Sequence, residues 1–119
     1  MYETIEKAED PRKKSFQNQI DNMEGDLKVT LYEAKNGHNY GAEYLEDLYR
    51  QNPSLCGKML ASIQILKILK NATPTKYSKY LTHGIYELRA SVATNEAREL
   101  YFFSLGNEVF ITNGFTKKS

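Results

Sequence analysis

The chain has 119 residues and a mass of 13.7 kDa, is 40% hydrophobic and 26% charged, and carries a formal net charge of +1. That suits one domain with a modest core. Its single cysteine, Cys56, excludes an internal disulfide and a cysteine-based metal site and fits a reduced compartment, and with no apolar run near the ~18 residues of a membrane span and a polar stretch over 1–25, neither a membrane partner nor a signal peptide is expected and the cytoplasm is the expected location.

Taken in order, 1–25 reads as an N-terminal extension and 26–119 as the domain. In the extension Ile5, Phe16, Ile20 and Met23 are the main apolar residues, with Pro11 dividing it. Phe16, Ile20 and Met23 sit at helical spacing and predict a short amphipathic helix over Lys13–Glu24; a frayed, flexible segment is the equal alternative. Leu27–Glu33 alternates Leu27, Val29 and Leu31 with Lys28, Thr30 and Tyr32, which predicts a half-buried strand. Asn36-Gly37 makes a turn, and Asn39 caps a helix whose apolar stripe is Tyr44, Leu45, Leu48 and Tyr49. Asn52-Pro53 ends that helix and starts a longer one, proline standing where its missing N–H costs nothing. Leu55, Met59, Ile63, Leu66 and Leu69 or Lys70 follow the 3.6 period there, with Ile65 and Ile68 widening the stripe. Cys56 falls in this pattern as a buried, inert thiol. Asn71 and Thr73-Pro74 stop the helix, and Pro74–His83 reads as a tyrosine- and lysine-rich connection.

The stretch from Gly84 to Lys118 divides into three β-type segments, Ile85–Val92, Ala97–Ser104 and Val109–Thr116, separated by Ala93-Thr94-Asn95-Glu96 and by a turn containing Gly106-Asn107. In the first, Tyr86, Leu88, Ala90 and Val92 share one face and Ile85, Glu87, Arg89 and Ser91 the other. Arg98 and Leu100 share a face of the second, whose run Leu100–Phe103 is apolar on both sides, as a central strand requires. In the third, Val109, Ile111, Asn113, Phe115 and Lys117 alternate with Phe110, Thr112, Gly114 and Thr116, and Lys117-Lys118 is expected beyond the strand. The predicted fold class is α+β: an antiparallel three-stranded meander plus an N-terminal strand in one sheet, packed against two helices.

Three pieces of this stretch, Gly-Ile-Tyr-Glu-Leu-Arg at 84–89, Arg98 followed by Leu-Tyr-Phe-Phe at 100–103, and Gly-Phe-Thr-Lys-Lys at 114–118, resemble in order and spacing the phage-derived, HigB-like branch of the RelE/ParE toxin superfamily. The resemblance covers about Leu27–Lys118 and is densest over the last third. It implies a RelE-like fold and the toxin of a type II toxin–antitoxin system, a ribosome-dependent mRNA endoribonuclease that inhibits translation. The implied partners are mRNA on the ribosome and a cognate helix-turn-helix antitoxin. A ParE-like gyrase inhibitor is the alternative. So is an attenuated member, because the resemblance implies a further helix beyond the segment that ends here at Lys118-Ser119.

His38 and His83 form no ligand cluster with Cys56, and no Gly-rich phosphate loop, HExxH or spaced acid set is present, so no metal and no cofactor is expected. RNA cleavage needs neither: the 2′-hydroxyl is the nucleophile, and the protein must supply a base, charge for the phosphorane and a proton for the leaving 5′-oxygen. The resemblance implies that Arg89 stabilises the scissile phosphate, joined by Arg98 from the next strand and by Lys117. It also implies that Lys79 and Lys118 contact the RNA backbone. Tyr86 is a candidate for base stacking, as are Tyr77, Tyr80 and Tyr101. Each has a plainer reading: an ion pair with Glu87 or Glu99 for Arg89, with Glu96 or Glu99 for Arg98, a solvated tail for the lysines, and packing for the tyrosines. A net charge of +1 is low for an RNA-binding protein, but 71–119 holds six bases against four acids, so a local positive field is open to it.

Overall fold

The computed structural model describes residues 11–118, with side chains for 16–117. Within them run α1 (Pro11–Asp21), β1 (Lys28–Leu31), α2 (Tyr40–Gln51), α3 (Pro53–Leu69) with a 3₁₀ turn at Lys70–Ala72, then β2 (Ser78–Thr82), β3 (Ile85–Val92), β4 (Asn95–Phe103) and β5 (Glu108–Lys118). The strands form one mixed sheet in the order β1-β5-β4-β3-β2, with β1 parallel to β5 and the other neighbours antiparallel. The α+β class holds, and β4 is the central strand, but the sheet has five strands where the sequence predicts four. The fifth is β2, which lies inside the supposed connection 74–83. It returns into β3 through His83-Gly84, both at positive φ (50° and 80°), as a two-residue hairpin turn requires. Its only buried residue is Ser78, so it shows no apolar alternation.

Helix boundaries follow their caps. Asn39 Oδ1 accepts from the Ala42 N–H (3.1 Å) and Asn52 Oδ1 from the Leu55 N–H (3.2 Å), with Pro53 in the first turn of α3. α2 lies on β5, and α3 on β3 and β4. Together they bury Leu45, Leu55, Met59, Ile63 and Leu66 against Leu88, Tyr101, Val109 and Ile111. The α3 stripe is narrower than its sequence suggests: Ile68 and Leu69 are exposed, whereas Ser62 and Lys67 are buried. Lys67 reaches under α1, where its Nζ donates to the carbonyls of Ile20 (2.5 Å) and Met23 (3.2 Å). With Phe16 and Ile20 in the core, α1 is packed on the domain. The part of the extension before Pro11 lies outside the described residues. Among the described residues no helix is long and apolar enough to cross a membrane.

β5 differs from its predicted alternation. Tyr101 pairs with Ile111 but Leu100 with Asn113, so Thr112 is an extra residue, a bulge. Beyond a bulge the side chains exchange faces. Val109 and Ile111 therefore share the helix-covered face with Gly114 and Thr116, while Phe115 and Lys117 join Arg98 on the other. β5 also continues through Lys118, so the terminal lysines belong to the strand and not to a tail beyond it.

Candidate functional site

The segments Glu87-Leu88-Arg89 and Glu96-Ala97-Arg98 repeat one pattern, an acid two residues before an arginine. On a strand that spacing puts both side chains on the same face. The β3/β4 register sets Arg89 directly opposite Arg98, with Glu87 opposite Leu100 and Ser91 opposite Glu96. The two guanidinium groups thus meet on the face away from the helices. Between them stands Glu87: its Oε2 accepts from Arg89 Nε at 3.0 Å and lies 3.4 Å from Arg98 Nε, the latter an ion pair without hydrogen-bond alignment. Arg98 Nη2 donates to Glu96 Oε1 (2.5 Å), and Nη1 to the Ala97 carbonyl (3.1 Å). The plainer reading of each arginine is therefore present in the structure alongside the functional one. The expected neighbour Glu99 is not part of it, because Glu99 points to the helix side.

The two arginines differ in access. The Arg98 side chain is 8% exposed and the Arg89 side chain 27%. β2 stops pairing at Ser78, so from Arg89 onward β3 is an edge; there the Arg89 N–H donates to the Tyr77 carbonyl (2.9 Å), and Ser62 Oγ of α3 donates to the Arg89 carbonyl (2.7 Å). Both main-chain groups of Arg89 are thereby fixed. A cleft of about 560 Å³ opens along this edge, lined by Lys58, Ser62 and Ile65 of α3, Lys76 and Tyr77 before β2, Arg89–Ser91, Glu96 and Arg98. Four cationic side chains line it with the carboxylate of Glu96, and because Glu87 and Glu96 pair with the two arginines, Lys58 and Lys76 carry the excess that makes the cleft positive. The composition suits a phosphodiester: Arg89 at a phosphate, Lys58 and Lys76 on flanking charge, and Tyr77, whose ring lies 5.5 Å from Lys76 Nζ, as an apolar and polarisable wall.

Of the sequence candidates, the structure brings Arg89 and Arg98 into this cleft. Lys117 is exposed one register step away, opposite Glu96, and does not line it. Lys79 is exposed on β2 in register with Glu87, also outside the lining. Tyr86 is on the other face of β3, stacked on Tyr101 (5.3 Å between centroids) and edge-on to Tyr80 and Phe103, away from both arginines. The Lys118 side chain lies outside the described residues. Sequence reasoning missed Lys58, Ser62 and Lys76, whereas Tyr77 was among its stacking candidates. Lys58 and Ser62 did leave a signal, two polar residues four apart on α3, which places them on one face.

The family model described as Phage derived protein Gp49-like (DUF891) matches residues 46–119, from the middle of α2 through β5 and well over half of the chain. The chain belongs to the Gp49-like family. The Gp49-like family lies within the RelE/HigB-like toxin clan, which the β3–β5 motifs resemble. The matched span contains all of the cleft and excludes α1 and β1, so the parallel edge strand and its helix stand outside the Gp49-like match. None of the curated proteins compared with the chain matches it.

Proposed function

We propose that this Gp49-like protein is the toxin of a toxin–antitoxin pair and acts as a metal-independent endoribonuclease on mRNA held by the ribosome, restrained by a helix-turn-helix antitoxin. The observation that carries this reading is the register that faces Arg89 with Arg98 at the rim of a positive cleft. In the reaction the substrate 2′-oxygen attacks the adjacent phosphorus, the P–O5′ bond breaks, and the products are a 2′,3′-cyclic phosphate and a 5′-hydroxyl. Arg89, the more exposed arginine, takes the phosphate and the charge that grows on its equatorial oxygens. Arg98 supports it from the neighbouring strand. Glu96, the carboxylate in the lining, is placed to accept the 2′-hydroxyl proton, and Lys58 or Lys76 to supply one to the leaving oxygen. Lys117, Lys79 and Lys118 would meet the RNA backbone outside the cleft. The weak net charge agrees with a substrate positioned largely by the ribosome.

A second reading, an attenuated member of the family, is favoured by one observation: Glu87 and Glu96 already occupy the guanidinium groups a phosphate needs. Expression of the chain without its partner, followed by mapping of mRNA ends on stalled ribosomes, separates the two. Cuts within codons that disappear in Arg89→Ala, with a loss of roughly 10²–10³ as for a lost transition-state donor, support the endoribonuclease. Intact mRNA and normal growth leave the attenuated reading; inhibited supercoiling with intact mRNA indicates a gyrase-binding module.

A further inference from the structure

β2 leaves β3 early. Its last pair is Ser78 with Leu88, so the remaining residues of β3, Arg89–Val92, are held by β4 on one side and have no strand on the other. Successive residues of a strand turn their main-chain groups to opposite sides, and Arg89 shows which side is open. Its N–H and carbonyl take Tyr77 and Ser62 as substitute partners, at 2.9 and 2.7 Å. Ser91 turns the same way. Its N–H and C=O therefore point past the sheet edge into the arginine cleft, which the exposed Ser91 lines, and among the described residues no strand is paired with them. An open strand edge is a template for a further strand unless it is blunted. This one carries no proline, its one charge, Arg89, is paired with Glu87, and no bulge interrupts its pairing with β4.

A partner for this edge must meet one donor and one acceptor at strand spacing. A simple anion accepts from the Ser91 N–H and leaves its C=O unmet, whereas a residue of an extended peptide meets both. The charge beside the edge selects among peptides. Arg89 and Arg98 are held by Glu87 and Glu96, but Lys58 of α3 and Lys76 before β2 form no ion pair among the described residues. They stand on two different segments lining the cleft, and both are exposed. Two unpaired ammonium groups flanking an open strand edge attract a segment that carries carboxylates and repel a basic one.

We propose that the open end of β3 takes an extended, acidic segment of a partner polypeptide as an added strand, its main chain paired with Ser91 and its carboxylates against Lys58 and Lys76. Strand addition is independent of the proposed activity; only its consequence, a cleft closed to RNA, rests on that reading. The test uses the full chain and three probes: acetyl-Thr-Glu-Val-Glu-Glu-Thr-amide, its counterpart with glutamine for every glutamate, and a five-nucleotide single-stranded RNA. NMR shifts and amide exchange are followed in each titration. The acidic peptide should give saturable shifts over Arg89–Val92 and slow the exchange of the Ser91 amide. The glutamine peptide should bind ~10-fold more weakly, as the loss of two surface ion pairs predicts, and Lys58→Gln and Lys76→Gln should each weaken binding ~3-fold. Ser91→Pro removes the donor at an edge position that proline tolerates, and should weaken binding ~10-fold with the circular dichroism spectrum unchanged; should it unfold, the lysine variants decide. Equal binding of the glutamine peptide, unchanged binding by the lysine variants or by a folded Ser91→Pro, shifts away from β3, or no saturable shift overturns the assignment. So does protection of the Ser91 amide by the RNA and not by the peptide, which assigns the edge to nucleic acid. Peptide binding by a protein that leaves mRNA intact supports the added strand and counts against the endoribonuclease alone.

Discussion

Glu99 gives the sharpest quantitative test of this structure. It is fully buried between β4 and α2 with both oxygens unpartnered, and burial holds its carboxyl well above the usual carboxylate range. In the unfolded chain the same group ionises normally, so above that range the folded protein binds one proton more than the unfolded one. Stability from this group is complete below the unfolded pKa and falls as pH rises toward the folded one, by about 1.4 kcal/mol per pH unit. Glu99→Gln keeps the shape and the neutral charge but cannot ionise in either state. At the acid end the two proteins should agree within about 1 kcal/mol, since both bury an unpartnered polar group. From there the variant should gain about 1.4 kcal/mol on the wild type with each unit, until the folded carboxyl itself releases its proton. Urea denaturation at several pH values between about 5 and 7, read by circular dichroism, measures that difference, and groups common to both proteins cancel. Parallel stability profiles would refute the claim that Glu99 is buried as the neutral acid.

Two further outcomes follow from buried groups on α3. Lys67→Met should remove the donor that closes the end of α1, leaving the Ile20 carbonyl with the Met23 N–H alone and the Met23 carbonyl without its Lys67 partner at a cost of about 1–3 kcal/mol, and hydrogen exchange should rise first in α1; unchanged protection there would mean that Lys67 does not hold it. The Cys56 thiol is buried and pushed up to about 11, so iodoacetamide should label it only through unfolding and at a rate that tracks denaturant; labelling of the native protein as fast as a free thiol would refute this.

The sequence carried the parts of this fold that depend on local chemistry. The bounds of β3, the Asn39 and Asn52 caps and the central place of β4 could all be read because the turn residues, capping amides and two-sided apolar run each satisfy a local rule. The shared face of Arg89 and Glu87 was equally legible, from period two alone. What escaped depends on partners distant in the chain. β2 hid because four of its five side chains face water, leaving no alternation to see. The Thr112 bulge is invisible until β5 is paired with β4, yet it decides which face Lys117 joins. Lys67 reads as a surface lysine until α1 brings two carbonyls to it. Tyr86 reads as a stacking platform until Tyr101 and Phe103 claim its ring.

The arginine pair also explains why its glutamates are there. Two like charges directly opposed across strands destabilise a sheet, and the burial of Arg98 makes its charge harder still to leave alone. Glu87 sits between the two guanidinium groups and Glu96 holds the inner one, so β3 and β4 can zip together with a nearly neutral rim. The same carboxylates then compete with any phosphate for Arg89 and Arg98. A phosphodiester offers each guanidinium a doubly acceptor-rich partner in the geometry it prefers, but it must first displace Glu87 from Arg89, the more exposed of the pair, while Glu96 goes on holding Arg98. Under the proposed function that order would make Arg89 the entry point and Arg98 the anchor. It also sets stability against ligand affinity at one residue: neutralising Glu87 would strengthen anion binding and, by leaving two arginines face to face, weaken the strand pair that presents them.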